Sequence, residues 1–476
     1  MSARTPAPGL PDQLTWVNAR DVPRLWALRG RVVLLHFFAY GNINCQHVLP
    51  DLRYLENKYH DGITILGIHT PKFSQERQPA ALLKAVNRLH LRHAVANDPD
   101  YYCWQIYGVK SWPTVAVVDT EGGLVGLFPG EGRRAELDVV IGDLLDQAAA
   151  RDVRVYESLA PVTRPEPKMP LRFPGHILAT ESTLYVSDSG NNRVLETAHD
   201  GRILRQFGSG NPGFWDGKGA DAGFSNPQGP ALAKDSLFVA DLGNHAVRRI
   251  SLMGGDVETV AGTGTQGLAV VSDAPEPKTI GLNAPIDLVA SGERLYVALA
   301  GSHQIWMYDL MRQRIGAYAG TGRPGIVDGA ASGASFAQPS ALATHGQMLY
   351  VADADSSAVR AIRFLDGTVK TLLGAGQYDF GDVDGQPQVA RLQHPMALAV
   401  DPGGSILWVA DTFNNKIKAL STRGGGVRTL GLPYRFHEPT GISVAARALW
   451  VANTNAHEVV RIDTGTGQVQ RVPIGE

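Results

Sequence analysis

The chain has 476 residues, of which 44% are hydrophobic and 19% are charged, and it contains 53 glycines and 29 prolines. This length exceeds that of one ordinary domain, and the composition predicts a turn-rich, β-rich protein while excluding a disordered or coiled-coil chain. The formal net charge of −2 lacks the positive footprint of proteins that bind nucleic acids or anionic membranes. Because no stretch has the apolar length of a signal peptide or a membrane span, we expect a cytoplasmic protein.

The chain contains two cysteines, Cys45 and Cys103. Two thiols in so long a chain exclude a disulfide framework and agree with a reducing compartment. Neither cysteine has the spacing of a metal ligand, so we predict no metal and no other cofactor. Whether the two cysteines form a single bridge depends on geometry that the sequence does not supply.

Apolar strand-like runs alternate with amphipathic helix-like runs from residue 31 to residue 151, which predicts an α/β layer fold. The predicted elements, in chain order, are the strand RVVLLHFF (31–38), the helix CQHVLPDLRYLENKYH (45–60), the strand ITILGIHT (63–70), the helix PAALLKAVNRLH (79–90), the hairpin TVAVVDT and LVGLFPG (114–130), and the helix RRAELDVVIGDLLDQAAARD (133–152). This order resembles that of thioredoxin. We therefore expect a thioredoxin-like domain over residues 14–152.

The proline-rich, charged stretch APVTRPEPKMP (160–170) ends this pattern, and we predict a linker over residues 153–172. A motif of apolar strand, polar loop and second strand then recurs six times, as LYVSDSGNNRV (184), LFVADLGNHAV (237), LYVALAGSHQI (295), LYVADADSSAV (349), LWVADTFNNKI (407) and LWVANTNAHEV (449). Its spacing of 42 to 58 residues suits four strands per repeat, as in a β-propeller blade. We predict a multidomain protein, α/β followed by all-β, in which residues 173–476 form a six-bladed β-propeller.

A second repeated element lies between units. In three copies, Asp216, Asp328 and Asp384 each begin an Asp-Gly pair eleven residues before a proline. Units without helices to cover their sheets are most simply closed into a ring, because radial closure leaves few exposed edges. These connections and the loops between second and third strands emerge on one face of a propeller. Short polar side chains of this kind hydrogen-bond turn backbone, which we predict for each of the equivalent positions Asp188, Asp241, Asp353, Asp411 and Asn453. We predict that a partner docks on the face that carries them.

The six repeats resemble NHL repeats, and a propeller of this kind behind a thioredoxin-like domain resembles the NHL repeat-containing protein 2 family over residues 14–476. The motifs that carry the resemblance are FFAY…INC, SWPT, GEG after the final strand of the first domain, and the blade signatures. Animal members of the family carry a further C-terminal β domain. The sequence ends soon after its sixth unit, so we expect a bacterial-type member without that domain.

The resemblance implies a redox turn in which key residues have changed. In thioredoxins the first cysteine of Cys-x-x-Cys attacks as a thiolate and the second resolves the mixed disulfide. The family's turn usually reads Cys-Cys-Ile-Asn-Cys, whereas here Asn42 stands at the attacking position and Cys45 at the resolving position. His36 replaces the buried aspartate of thioredoxins, and Pro113 in SWPT matches their cis-proline. Because asparagine is a favoured N-cap, we predict that Asn42 caps the following helix.

These features predict a cytoplasmic interaction protein, whose degenerate thioredoxin-like site and propeller face bind a protein or peptide, with no nucleic-acid or membrane partner. The alternative is a thiol oxidoreductase or peroxidase that uses Cys45, with His36 stabilising its thiolate. A third hypothesis is a propeller hydrolase or lyase that holds a metal on its axis. His245, His303 and His457 share one repeat position, but a loop-tip location disfavours a common metal there.

Overall fold

The computed structural model describes residues 4–21, 23–156, 162–267 and 276–475. The chain divides into two compact units, Met1–Pro167 and Lys168–Glu476. This division falls within residues 153–172, the stretch predicted as a linker, of which residues 157–161 lie outside the described residues.

The first unit is an α/β layer structure built on one mixed sheet. Its described strands and α-helices are β1 (Thr15–Val17), β2 (Val32–Phe38), α1 (Ile43–Lys58), β3 (Ile63–His69), α2 (Pro79–Arg88), β4 (Ala94–Asn97), α3 (Tyr102–Ile106), β5 (Thr114–Val118), β6 (Leu124–Pro129) and α4 (Arg134–Ala150). The strand order in the sheet is β1-β4-β3-β2-β5-β6. β2 pairs in parallel with β3 and antiparallel with β5. β1 and β4 were not predicted, because three or four residues are too few to show a period.

Alternate residues of β2 enter two separate cores. Val32 and Leu34 pack with Val48 of α1 and with residues of α4. Val33 lies on the opposite face of the sheet and packs in a cluster that includes Cys103 of α3. Every residue of β2 is buried, as is typical of a strand covered on both faces. β2 is therefore fixed from both sides, and its carboxyl end delivers the chain to the start of α1.

The second unit consists of six antiparallel sheets. Its described strands are β7 (His176–Ala179), β8 (Thr183–Asp188), β9 (Arg193–Ala198), β10 (Ile203–Phe207), β11 (Gly217–Lys218), β12 (Pro227–Ala233), β13 (Ser236–Asp241), β14 (Ala246–Ser251), β15 (Asp256–Ala261), β16 (Pro285–Ser291), β17 (Arg294–Leu299), β18 (Gln304–Asp309), β19 (Arg314–Ala319), β20 (Gly329–Ala330), β21 (Pro339–His345), β22 (Met348–Asp353), β23 (Ala358–Arg363), β24 (Thr368–Leu373), β25 (Ala397–Val400), β26 (Ile406–Asp411), β27 (Lys416–Ser421), β28 (Val427–Thr429), β29 (Gly441–Ala445), β30 (Ala448–Asn453), β31 (Glu458–Asp463) and β32 (Val469–Val472).

Each sheet is one propeller blade of four consecutive strands. The blades are β7–β10, β12–β15, β16–β19, β21–β24, β25–β28 and β29–β32, and the short strands β11 and β20 add a fifth strand to the second and fourth blades. The first strands contact one another in the cyclic order β7, β12, β16, β21, β25, β29 and back to β7. The six units therefore close into a ring. The predicted fold class, a thioredoxin-like domain followed by a six-bladed β-propeller, is confirmed.

One polar side chain per blade ties that blade to the next. Immediately before each third strand a residue adopts positive φ, between 49° and 60°. Its side chain accepts a hydrogen bond of 2.7 to 3.2 Å from a backbone N–H in the segment that leads into the following blade. The accepting residues are Asn192, His245, His303, Ser357, Asn415 and His457. The last of them, His457, accepts from the N–H of Phe173 at 3.0 Å and so joins the sixth blade to the first.

Replacing His457 by alanine is expected to destabilise the propeller by about 1 to 2 kcal/mol, because a buried N–H of Phe173 loses its acceptor. The His457 ring also packs on Phe173, with ring centroids 4.3 Å apart. Asparagine serves as the acceptor in the first and fifth blades, so His457→Asn should recover part of the loss. Urea unfolding of the three proteins tests this, and equal stabilities of wild type and His457→Ala would contradict it.

Candidate functional site

The turn between β2 and α1 holds the predicted redox position. Asn42 is the N-cap of α1, and its Oδ1 accepts a hydrogen bond from the backbone N–H of Cys45 at 3.1 Å. The cap predicted for Asn42 is therefore present, and it satisfies one of the helix's unpaired first-turn amides. Cys45 itself lies in the first turn of α1, is 1% exposed and forms no disulfide.

A buried glutamate that the sequence analysis did not identify supports this turn. Glu76 lies in a short 3-10 helix between β3 and α2, and its Oε1 accepts a hydrogen bond from the backbone N–H of Gly41 at 2.9 Å. Its Oε2 accepts from the N–H groups of Lys72 and Phe73 at 2.8 and 2.9 Å. Burial raises the pKa of Glu76 to about 7, although these hydrogen bonds and the charge of Lys72 oppose the shift. Glu76 thus ties the turn to the loop that follows β3.

His36, named in the alternative hypothesis as the group that stabilises a Cys45 thiolate, lies fully buried in β2. Its ring stacks on that of Phe38, with centroids 4.9 Å apart and an angle of 11°, and neither ring nitrogen has a hydrogen-bond partner among the described residues. Burial, assisted by the charge of His93, lowers the pKa of His36 to about 3. The imidazole is therefore neutral at pH 7 and supplies no positive charge that would stabilise a thiolate at Cys45.

His69 belongs to the same buried aromatic group. Its ring stacks on Tyr40, with centroids 5.3 Å apart, and meets Phe38 edge-on at 5.3 Å. Its Nδ1 lies 3.1 Å from Oδ1 of Asn97. Burial lowers the pKa of His69 to about 4, so this histidine is also neutral at pH 7.

The peptide bond between Trp112 and Pro113 is cis, as predicted for the SWPT motif. The carbonyl oxygen of Pro113 accepts a hydrogen bond from the N–H of Gly130 at 2.8 Å. The next residue, Glu131, places Oε2 2.6 Å from Nδ1 of His47, two residues beyond Cys45 in α1. The GEG motif therefore links the cis-proline loop to the helix that carries Cys45. The motif was recognised in the sequence, but its partner His47 was not.

Three partly buried aromatic side chains surround the cis-proline loop. Trp104 and Trp112 have ring centroids 4.7 Å apart, and Tyr101 packs edge-on against both of them at 6.1 and 6.5 Å. The hydroxyl of Tyr101 donates a hydrogen bond to the carbonyl oxygen of Pro71. These rings form an aromatic, partly accessible surface beside the cis-proline.

Cys103, in α3, lies in the core on the face of β2 opposite to α1. It is fully buried and forms no disulfide. Burial, together with the nearby charge of Asp98, raises the pKa of the Cys103 thiol to about 12. Cys103 is therefore a protonated core residue and takes no part in the turn beside Asn42.

The five propeller positions predicted to form a docking face are all buried, each with 0% exposure. Each side chain accepts, through Oδ1 at 2.7 to 2.8 Å, a hydrogen bond from a backbone N–H in the segment that enters its own blade. The pairs are Asp188 with Arg172, Asp241 with Ser225, Asp353 with Ala337, Asp411 with Gln393 and Asn453 with His437. These side chains position the loops of that face and do not themselves reach its surface.

Three blades add a buried cation that the sequence analysis did not identify. In the second blade Arg248 is 0% exposed and lies 3.0 Å from Oδ2 of Asp241 and 3.0 Å from Oδ1 of Asp216, the aspartate of the Asp-Gly element. That same Oδ1 accepts hydrogen bonds from the N–H and Oγ1 of Thr259 in β15, each at 2.9 Å. The equivalent cations are Arg360 in the fourth blade and Lys418 in the fifth. The signal in the sequence is a cation seven residues after the buried aspartate.

The predicted histidine positions in the propeller have a structural role. Nδ1 of His245, His303 and His457 each accepts a backbone N–H at 3.0 to 3.1 Å, as described for the blade connections. Within residues 4–21, 23–156, 162–267 and 276–475, no three histidine, cysteine or acidic side chains converge as a metal site would require.

Comparison with known proteins agrees with the architecture and decides the family. A family model described as thioredoxin-like matches residues 30–124. NHL repeat-containing protein 2 of Homo sapiens is 33% identical over 524 residues, which cover 98% of this chain and 71% of that protein. The chain belongs to the NHL repeat-containing protein 2 family. Protein SUPPRESSOR OF QUENCHING 1, chloroplastic, of Arabidopsis thaliana is 36% identical over 501 residues, which cover 98% of this chain and 47% of that protein.

The chain thus spans about half the length of this plant protein. The thioredoxin-like part is also similar to the thiol-disulfide oxidoreductase YkuV of Bacillus subtilis, with 22% identity over 124 residues, 26% of this chain and 83% of that protein. None of the helices in the described part of the chain is long and apolar enough to cross a membrane.

Proposed function

We propose that this member of the family is a binding protein without dithiol exchange, in which the thioredoxin-like unit keeps the frame of a redox site and has lost its reaction. The observation that carries the proposal is the cap at Asn42, whose amide oxygen is used by the N–H of Cys45. Dithiol exchange needs an accessible attacking thiolate at this position and a second thiol to resolve the mixed disulfide. An amide cannot act as that nucleophile.

The condition of the remaining thiol supports the same proposal. Cys45 is 1% exposed, and the neutral His36 carries no charge that would hold it as a thiolate. Reactive cysteines are at least partly exposed, and Cys45 is not. Single-thiol oxidoreductase or peroxidase chemistry therefore has less support than a binding role.

The partner that fits this architecture best is a protein or an extended peptide. Beside the cis-proline, the partly buried rings of Tyr101, Trp104 and Trp112 offer apolar contact area. On the propeller, Trp215 and Tyr378 are 45% and 76% exposed in the segments between blades. Aromatic residues of this kind are enriched at protein interfaces. A nucleic-acid partner is disfavoured by the net charge of −2, and the cytoplasmic location stays a prediction.

An insulin-reduction assay with dithiothreitol tests the proposal. Wild type and Cys45→Ser should give the same rate as dithiothreitol alone, because the attacking thiol is absent and Cys45 is buried. A stopped-flow peroxide assay on the same two proteins covers the single-thiol alternative. Turnover by wild type above the Cys45→Ser control in either assay would overturn the binding role in favour of thiol chemistry.

A further inference from the structure

Glu76 is a buried ionisable group that contacts the redox-site turn directly, and the binding role proposed above does not use it. Its carboxylate is 0% exposed and accepts three backbone N–H groups, one from Gly41 on the turn and two from Lys72 and Phe73 on the loop after β3. Two segments that are remote in sequence are therefore held together by one side chain.

The groups around Glu76 do not fix its ionisation state, which therefore follows the pH of the solvent. Lys72 is the charged side chain whose field acts on the carboxylate. On the side of the turn, Glu76 meets the N–H of Gly41, which follows the uncharged ring of Tyr40. The Tyr40 ring stacks on the neutral His69. The guanidinium of Arg88 lies 5.9 Å from the centre of the Tyr40 ring. No buried cation pairs with Glu76 among the described residues, so it is not fixed as a carboxylate by an ion pair.

The hydrogen bonds of Glu76 depend on its ionisation. A carboxylate is an acceptor at both oxygens, whereas a protonated carboxyl group has one oxygen that is a donor. A hydroxyl placed against the N–H of Gly41, or against those of Lys72 and Phe73, opposes donor to donor. A hydroxyl oxygen turned the other way still accepts, but more weakly than a carboxylate oxygen, so protonation weakens the contact on the protonated side. Since burial raises the pKa of Glu76 to about 7, this change falls within the physiological range.

We propose that Glu76 is a proton-controlled latch, which as a carboxylate fixes the Gly41–Asn42 turn to the loop at Lys72 and Phe73 and as a carboxylic acid releases it. The released turn changes the shape of the surface that carries Asn42, so the latch makes that surface sensitive to pH. The regulatory meaning of the latch rests on the proposed binding role, because it acts on the same turn. The latch itself is a property of the chain without any partner.

Hydrogen–deuterium exchange of the full chain, read by mass spectrometry at pH 6 and pH 8 and corrected for the intrinsic pH dependence, tests the latch. In wild type the peptide that contains Gly41 should lose about tenfold in protection at pH 6 relative to pH 8, because the carboxyl changes from largely ionised to largely protonated. Glu76→Gln should show low protection at both pH values. Glu136→Gln, at an exposed position in α4, is the matched control and should behave as wild type.

Two results would overturn the latch. One is equal protection of the turn at pH 6 and pH 8 in wild type. The other is a Glu76→Gln variant whose turn loses protection between pH 8 and pH 6 as wild type does. If Glu76→Gln does not fold, an NMR titration of wild type replaces it. The protein is labelled with carbon-13 at the glutamate carboxyls and with nitrogen-15 at glycine. The Glu76 carboxyl and the Gly41 amide should then titrate together, and a Gly41 amide that ignores the carboxyl titration overturns the latch. Insulin reduction by wild type would remove the proposed binding role and leave this result unchanged.

Discussion

Arg248→Ala is expected to lower the free energy of unfolding of the propeller by about 3 to 5 kcal/mol, the range typical for breaking a buried ion pair by removing one partner. The guanidinium is fully buried and donates hydrogen bonds to Asp241, to Asp216 and to the carbonyl oxygens of Trp215 and Gly223. Alanine would leave the Asp241 carboxylate without its counter-charge in the core. Urea unfolding followed by tryptophan fluorescence measures the loss.

Two variants control this experiment. Arg248→Lys should cost less than Arg248→Ala, because Lys418 fills the equivalent position in the fifth blade. Arg312→Ala removes an arginine whose side chain is 80% exposed and pairs with Asp309 on the surface, so its effect should stay within about 1 kcal/mol. If Arg248→Ala unfolds like Arg312→Ala, the Asp241–Arg248–Asp216 chain does not stabilise the blade in the way described.

The thioredoxin-like unit is expected to lose stability as the pH falls from about 6.5 toward 4. His36 and His69 have folded pKa values of about 3 and about 4, below the ordinary value of 6.5. A depressed pKa in a base means that the unfolded chain takes up the proton first, so the stabilising contribution is complete above pH 6.5 and declines below it. Each group contributes a slope of roughly 1.4 kcal/mol per pH unit within this window.

Glu76 has the opposite sign. Its folded pKa of about 7 lies above the ordinary value of 4.5, so its contribution is largest below pH 4.5 and is lost as the pH rises through 7. His93, whose pKa burial lowers to about 4, adds a loss of the same sign as His36 and His69. On acidification Glu76 therefore offsets only part of the loss from the three histidines, and a net decline in stability remains.

Urea unfolding of the thioredoxin-like unit between pH 7 and pH 4.5 measures this slope. His36→Phe should flatten it, because phenylalanine keeps a ring against Phe38 and takes up no proton. His60→Asn, at an exposed position, should keep the wild-type slope. A wild-type slope in His36→Phe would contradict the account of His36 as a buried neutral histidine.

Local sequence signals predicted the elements around the site well. The apolar run of β2, the cap at Asn42 and the cis-proline loop all depend on residues adjacent in sequence. Glu76 could not be found in this way, because its contact with Gly41 joins residues 35 positions apart and only the packing of β2 beside β3 brings them together.

In the propeller, too, contacts between segments distant in sequence could not be predicted from local signals. The repeat identified Asp188, Asp241, Asp353, Asp411 and Asn453 as equivalent, but whether a polar residue at a strand end faces solvent or core depends on the segment that packs over it. In these five blades that segment leads into the blade's first strand, and its backbone N–H groups donate to these side chains. The buried cations Arg248, Arg360 and Lys418 left a periodic trace, visible when the repeats are aligned at the aspartate.

Asn42 removes dithiol exchange because the attacking thiol is absent from a turn that otherwise keeps the redox frame, although His36 also stands where thioredoxins have a buried aspartate. Asn42→Cys tests this claim most directly, since it recreates Cys-x-x-Cys with Cys45 at the cost of about 1 kcal/mol from the lost N-cap. This variant should form a disulfide between residues 42 and 45 and reduce insulin with dithiothreitol faster than wild type, whereas Asn42→Cys combined with Cys45→Ser should not. An Asn42→Cys protein that forms no such disulfide and stays as inactive as wild type would contradict the claim.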